Sequence, residues 1–196
     1  MSKAEKTKAF IIEKCAPVFN KRGYAGTSLT DIEAATGLTK GALYGNFRDK
    51  NDIAKEAYHF SVGCLKQRYM AHVKSDQNAY NKLIAFTEYY RHDWKKFLQE
   101  GGCPIQNAAV ESNADLRFLR PHVQKSIKGW AGFLADIIEE GKETRVLKPV
   151  NAHEYAFMII MVLEGGIMLA KVMNNHAYLW QALDRLVKII NEELKR

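Results

Sequence analysis

Apolar residues recur at spacings of three and four along almost the whole chain, and nowhere do they alternate in the two-residue rhythm of a half-buried strand. Near the N-terminus Ile11, Ile12, Cys15, Val18 and Phe19 share one face of a helix over about 3–21. Pro17 removes a backbone donor inside that helix and predicts a bend. Leu29, Ile32 and Ala35 form a second helical face, Gly37 interrupts it, and Leu38, Leu43 and Phe47 supply a third, short one. A longer helix from about 50 to 73 turns Ile53, Ala57, Phe60, Cys64 and Leu65 inward. Further helical segments fall at 78–98, 103–113, 116–141, 151–174 and 176–194, separated by Gly101-Gly102, Pro104, Pro121, Gly141 and Pro149. The pattern predicts an all-α chain. A three-helix N-terminal domain over 1–50 is followed by a helical domain over 51–196.

The stretch Thr27–Lys50 carries the most specific chemistry. Ser28 with Asp31 three residues on is a near capping box, Thr39 can cap the next helix, and Gly37 suits the left-handed position that ends the first. Two short helices across a glycine turn form a helix-turn-helix, whose second helix enters the major groove of DNA. A helix in a groove about 12 Å wide needs small residues where its backbone comes close and hydrogen-bonding side chains at its start. Gly41, Ala42 and Gly45 are small, and Thr39, Lys40, Tyr44 and Asn46 bear the polar groups. Thr27, Ser28, Tyr44 and Lys50 are the expected phosphate contacts. Thr39, Lys40, Gly41, Ala42 and Asn46 line the groove, with Lys40 and Asn46 placed to read base edges.

These residues resemble the TetR/AcrR-type transcriptional regulators. Gly23-Tyr24, Thr27-Ser28, Asp31-Ile32, Gly37-Leu38-Thr39-Lys40-Gly41, Leu43-Tyr44, Phe47 and Lys50 stand in that family's register over roughly the first fifty-five residues. The resemblance implies that Lys50 anchors the DNA backbone and that the C-terminal helices both dimerise and hold a ligand. It does not extend to the ligand's identity, because only length and helix pattern match beyond that point.

Charge agrees with a nucleic-acid partner at the N-terminal end. Of the formal net charge of +7, the first fifty residues carry +4 and the remaining 146 carry +3. Lys3, Lys6 and Lys8 make a basic start able to reach phosphate or the minor groove. Three cysteines, Cys15, Cys64 and Cys103, stand at no disulfide-framework or metal spacing and read as reduced thiols. With neither a leader-like N-terminus nor eighteen uninterrupted apolar residues, a cytoplasmic protein with no membrane partner is expected.

Two stripes near the C-terminus suggest a homodimer surface of four helices. One includes Leu163 and Ile167, the other Leu179, Leu183, Leu186 and Ile190. A second face of the 151–174 helix carries Phe157, Met161, Glu164, Met168 and Lys171. Met161, Glu164 and Met168, with Phe86, Tyr89, Tyr90, Trp94, Cys103, Ile105, Trp130 and Phe133, are the expected lining of a cavity for a flat or greasy ligand; the same residues would also serve an ordinary core. Cys103, at the start of a helix, can also be read as a thiol whose ionisation the helix dipole favours, or as a small buried residue.

Enzymatic motifs are missing: there is no GxSxG, HExxH, phosphate-binding glycine loop or dinucleotide fingerprint, and no two of the six histidines stand at metal-ligand spacing. No enzyme and no cofactor is expected. The sequence points to a homodimeric repressor of a palindromic double-stranded operator, released by a small-molecule inducer. A thiol-based redox or electrophile sensor acting through Cys103, and a ligand-independent DNA-binding protein, are the alternatives.

Overall fold

A computed structural model describes residues 2–112 and 116–196, so the last residue of the segment expected over 103–113 lies outside the described residues. Helix α1 (Lys3–Arg22) starts at Ser2, whose hydroxyl accepts from the Glu5 amide while the Glu5 carboxylate accepts from the Ser2 amide. It continues through Pro17 and buries Ile11, Cys15 and Phe19. Helices α2 (Leu29–Thr36) and α3 (Lys40–Tyr44) follow. The Asp49 carboxylate then accepts from the Asp52 amide at 2.8 Å and opens α4 (Lys50–His72).

Beyond α4 lie α5 (Ala79–His92), α6 (Trp94–Gln99), α7 (Pro104–Glu111), a single 3₁₀ turn (Arg117–Leu119), α8 (Arg120–Glu143), α9 (Ala152–Val172) and α10 (Ala177–Ile189), which runs into a π-helical turn (Ile190–Leu194). The segment expected over 78–98 is two helices, because Asp93 leaves helical geometry between α5 and α6. Among the described residues the only β pairing is an isolated bridge between Leu147 and Lys195.

The helices gather into two units that do not follow the expected division at residue 50. The first comprises 1–65 and 100–124, the second 66–99 and 125–196. The reason for the first is visible at the corner between α1 and α2. The Glu111 carboxylate on α7 accepts from the amides of Tyr24 (3.0 Å) and Ala25 (2.7 Å). Beside it the Asn20 side chain donates to the carbonyls of Glu100 and Gly102, and Asn107 donates to Asn20 and to the Gly101 carbonyl. These bonds tie a distant segment to the first three helices. Phe60, expected inward on α4, is 39% exposed; Ala54, Ala57 and Tyr58 fill the core on that side.

In the second unit α9 and α10 pack as a hairpin. Leu179, Leu183, Leu186 and Ile189 of α10 are all buried, each worth about 1.5–3 kcal/mol of apolar transfer. Ion pairs join α5 to its neighbours: Lys82 to Glu140 at 2.6 Å and Arg91 to Asp184 at 2.6 Å. The chain's end is clasped by the Lys148 amide donating to Leu194 and the Arg196 amide donating to Val146. Helix α9 is long and apolar enough by composition alone for a spanning segment, and its Ala156, Ile160, Leu163, Ile167 and Ala170 are buried in this unit.

The α9–α10 contact depends on a missing side chain. A Cβ at Gly166 would lie 2.4 Å from the Ala182 Cβ, whereas one at the adjacent Gly165 would meet nothing within 4 Å. Gly166→Ala is therefore expected to cost about 1–3 kcal/mol in urea unfolding, while Gly165→Ala holds or raises stability through helix propensity. Equal effects of the two substitutions would show that the close approach does not govern the packing.

Candidate nucleic-acid interface and aromatic core

Helices α2 and α3 are fixed by short-range bonds. Ser28 Oγ accepts from the Asp31 amide, and the Asp31 carboxylate accepts from the Ser28 amide at 2.9 Å, completing the capping box. Those Ser28 bonds, with the Arg22 guanidinium paired to the same carboxylate, hold Asp31 below the usual carboxylate range. Gly37 closes α2 at φ 69°, the left-handed geometry that an L side chain resists. Thr39 Oγ then accepts from the Ala42 amide to start α3. Ile32, Leu43 and Phe47 are buried beneath this pair of helices, and the Lys8 ammonium lies 5.0 Å over the Phe47 ring.

The outward side of α3 carries Thr39, Lys40, Gly41 and Tyr44, all exposed, with Ala42 half-buried. Lys40 lies over the Tyr44 ring at 5.9 Å. A Cβ added at Gly41 would meet nothing within 4 Å. Packing within the chain gives no reason for that residue to be glycine.

Other residues expected at this surface are turned differently. Thr27 is fully buried and its hydroxyl donates to the Gly23 carbonyl at 2.7 Å, leaving only its backbone for a phosphate. The Asn46 amide donates back to the Ala42 carbonyl at 2.9 Å, the local competition open to a short side chain at a helix end. Lys50 Nζ donates to the carbonyls of Thr27 (2.9 Å) and Ala25, so in this arrangement it braces the α1–α2 loop. Ser28 remains exposed at the start of α2. Arg48, not among the expected contacts, is 79% exposed four residues beyond the end of α3, with Asp49 3.9 Å away.

In the second unit Phe86, Tyr89, Tyr90, Trp130 and Phe133 do come together. Phe86 contacts Tyr90 at 5.4 Å and Trp130 at 6.2 Å, Tyr89 contacts Tyr90 at 4.8 Å, and Phe133 joins through Tyr69 at 5.2 Å. The sequence reading missed Tyr69, which touches both Phe86 and Phe133, and Phe97, 5.5 Å from Tyr90. Burial pushes the Tyr69 hydroxyl up to about 12. The Trp130 indole N–H is buried and has no hydrogen-bond partner among the described residues. Trp94 instead stacks on His176 at 4.5 Å, while Cys103 and Ile105 belong to the first unit, both buried there.

The two faces of α9 are turned the opposite way from the expectation. Leu163 and Ile167, assigned to a dimer surface, are fully buried inside the unit, as are Leu179, Leu183, Leu186 and Ile190 on α10 and its continuation. Met161 and Met168, assigned to a cavity, are 65% and 48% exposed. With Phe157, Leu169, Val172 and Met173 they form an uncovered apolar stripe, while Glu164 is half-buried.

Comparison with known proteins agrees with this architecture. The profile described as "Bacterial regulatory proteins, tetR family" matches residues 11–57, and "Tetracyclin repressor-like, C-terminal domain" matches residues 79–186. The chain is 25% identical to the HTH-type transcriptional repressor DhaR of Mycobacterium sp. (strain GP1) over 193 residues, 94% of this chain and 90% of that one. A TetR-family transcriptional regulator from Cytophaga hutchinsonii is 34% identical, with a TM-score of 0.92 over 97% of this chain and 96% of that one. A TetR transcriptional regulator from Chloroflexus aurantiacus J-10-FL is 31% identical, with a TM-score of 0.92 over 100% and 99%. A helix-turn-helix with an open glycine on its outer helix, followed by a helical second unit, thus has both its halves matched, and the chain belongs to the TetR family of DNA-binding transcriptional regulators.

Proposed function

We propose that this regulator acts in the cytoplasm as a homodimeric repressor, with α3 of each subunit in successive major grooves of a palindromic operator and a small molecule in the second unit triggering release. The observation that carries the DNA reading is Gly41. A glycine in a helix costs about 1 kcal/mol relative to alanine, and nothing inside the chain requires one at this position. An external surface approaching the α3 backbone does. Lys40 and Arg48 flank that approach with exposed cations able to meet phosphate.

A second copy of the chain is the occupant of the α9 stripe. Phe157, Met161, Met168 and Leu169 share one side of a helix whose other side is already buried, and paired recognition helices require two subunits. The ligand reading rests on the cluster around Phe86, Tyr90 and Trp130. A buried indole N–H without a partner costs about 1–3 kcal/mol, which a ligand bearing a hydrogen-bond acceptor would recover. Release then follows if the ligand binds better to subunits whose recognition helices no longer match successive grooves.

Three measurements test these parts separately. Fluorescence anisotropy on the DNA upstream of the coding region, against a scrambled duplex at two salt concentrations, should give specific binding for the wild type. Gly41→Leu should melt within about 1 kcal/mol of wild type and lose the specific complex; retained binding removes α3 from the groove. Light scattering of Met161→Glu should report monomers where the wild type is dimeric, and an unchanged mass would place the dimer contact elsewhere. Among compounds that release the wild type from DNA, those with an acceptor should bind Trp130→Phe about tenfold more weakly, a single hydrogen bond's worth. Equal affinity would move the ligand away from Trp130.

A further inference from the structure

Among the described residues no three His, Cys, Asp or Glu side chains gather into a metal-binding group. One pair of histidines, 63 residues apart in sequence, nevertheless meets in the first unit. His59 on α4 places Nε2 3.0 Å from Nδ1 of His122 in the first turn of α8, with the rings nearly perpendicular at 83° and their centroids 4.8 Å apart. His59 is exposed and His122 half-exposed, so solvent reaches the pair.

That separation has a second meaning. Two imidazole nitrogens bound to one ion at about 2.0–2.1 Å stand about 3.0 Å apart when they subtend a right angle, and about 3.4 Å apart at the tetrahedral angle. The observed distance is that of neighbouring ligands in a tetragonal or octahedral shell. As the rings stand, one nitrogen carries the proton and the other accepts it. Moving that proton to the donor ring's other nitrogen frees a second lone pair without changing net charge. In a right-angled shell each lone pair points about 45° off the line joining the two nitrogens, so each ring turns by about that angle to share one ion.

We propose that His59 and His122 form a two-imidazole site for a divalent transition-metal ion, with Cu(II) held most tightly and water completing its shell. Copper heads the divalent series for nitrogen ligands and favours right-angled geometry. Such an ion would cross-link α4 to the first turn of α8 and stabilise the first unit by mass action.

The test is titration of CuCl₂ into the full chain at neutral pH, followed by calorimetry, electron paramagnetic resonance and thermal melting. His59→Gln, His122→Gln and the exposed control His153→Gln are compared with wild type. The strongest site should take one copper per chain, show coupling to two ring nitrogens and raise the melting temperature. Each of the first two substitutions should weaken it by at least about tenfold and abolish the thermal shift, the double variant should lose no more than either alone, and His153→Gln should change nothing. Metal-free melting of each variant checks the fold, with Asn replacing Gln where a variant melts early. An unchanged strongest site in either variant, or a loss in only one of them, would overturn the proposal and leave the pair as a hydrogen bond between helices.

Discussion

The first unit depends on a carboxylate that reaches across most of a hundred residues of sequence. Glu111 accepts from two consecutive amides where α1 hands over to α2, amides that neither helix can satisfy by itself. Asn20 and Asn107 donate in turn to the carbonyls of Gly102 and Gly101. Together they tie α7 and the turn before it to the corner between α1 and α2. The Asn20 bond to Gly102 is buried, where an unpaired carbonyl would cost about 1–3 kcal/mol, whereas the Ala25 amide also reaches solvent.

Small residues serve opposite purposes in the two units. Gly166 lets two helices of one subunit touch, with Ala182 where a side chain would stand. Gly41 faces empty space, as Gly165 does, so nothing inside the chain sets its size. The contrast separates a glycine that folding requires from one that it does not, without any appeal to related sequences. It also explains why α3 can be short and still defined: its position comes from Leu43 and Phe47 below, leaving its upper surface unconstrained.

What could be read from the sequence divides along the range of the interactions. The Ser28–Asp31 box and the left-handed Gly37 are encoded within four residues and were legible, whereas the break at Asp93 between α5 and α6 was not. The aromatic composition of the second unit's core was legible too, because large apolar residues at helical spacing must be buried somewhere. Helix α9 was not, since it is apolar on both sides: periodicity reveals two stripes but not which one meets α10. The face that meets α10 is the one where Gly166 lets Ala182 come close, a contact outside any local pattern. Thr27, Asn46 and Lys50 were read as polar residues available to DNA, yet each finds a backbone carbonyl nearby. Glu111 and the His59–His122 pair left no local trace, being meetings of single residues brought together only by the fold.

The discontinuous first unit has a consequence for synthesis. The amide of Tyr24 is made 87 residues before the carboxylate that receives it. At roughly 5–20 residues per second, the nascent chain spends on the order of ten seconds with its N-terminal helices lacking their brace. The helix-turn-helix therefore waits for Glu111 before its corner is braced, yet it is braced ahead of the second unit, whose closing bonds need Leu194 and Arg196.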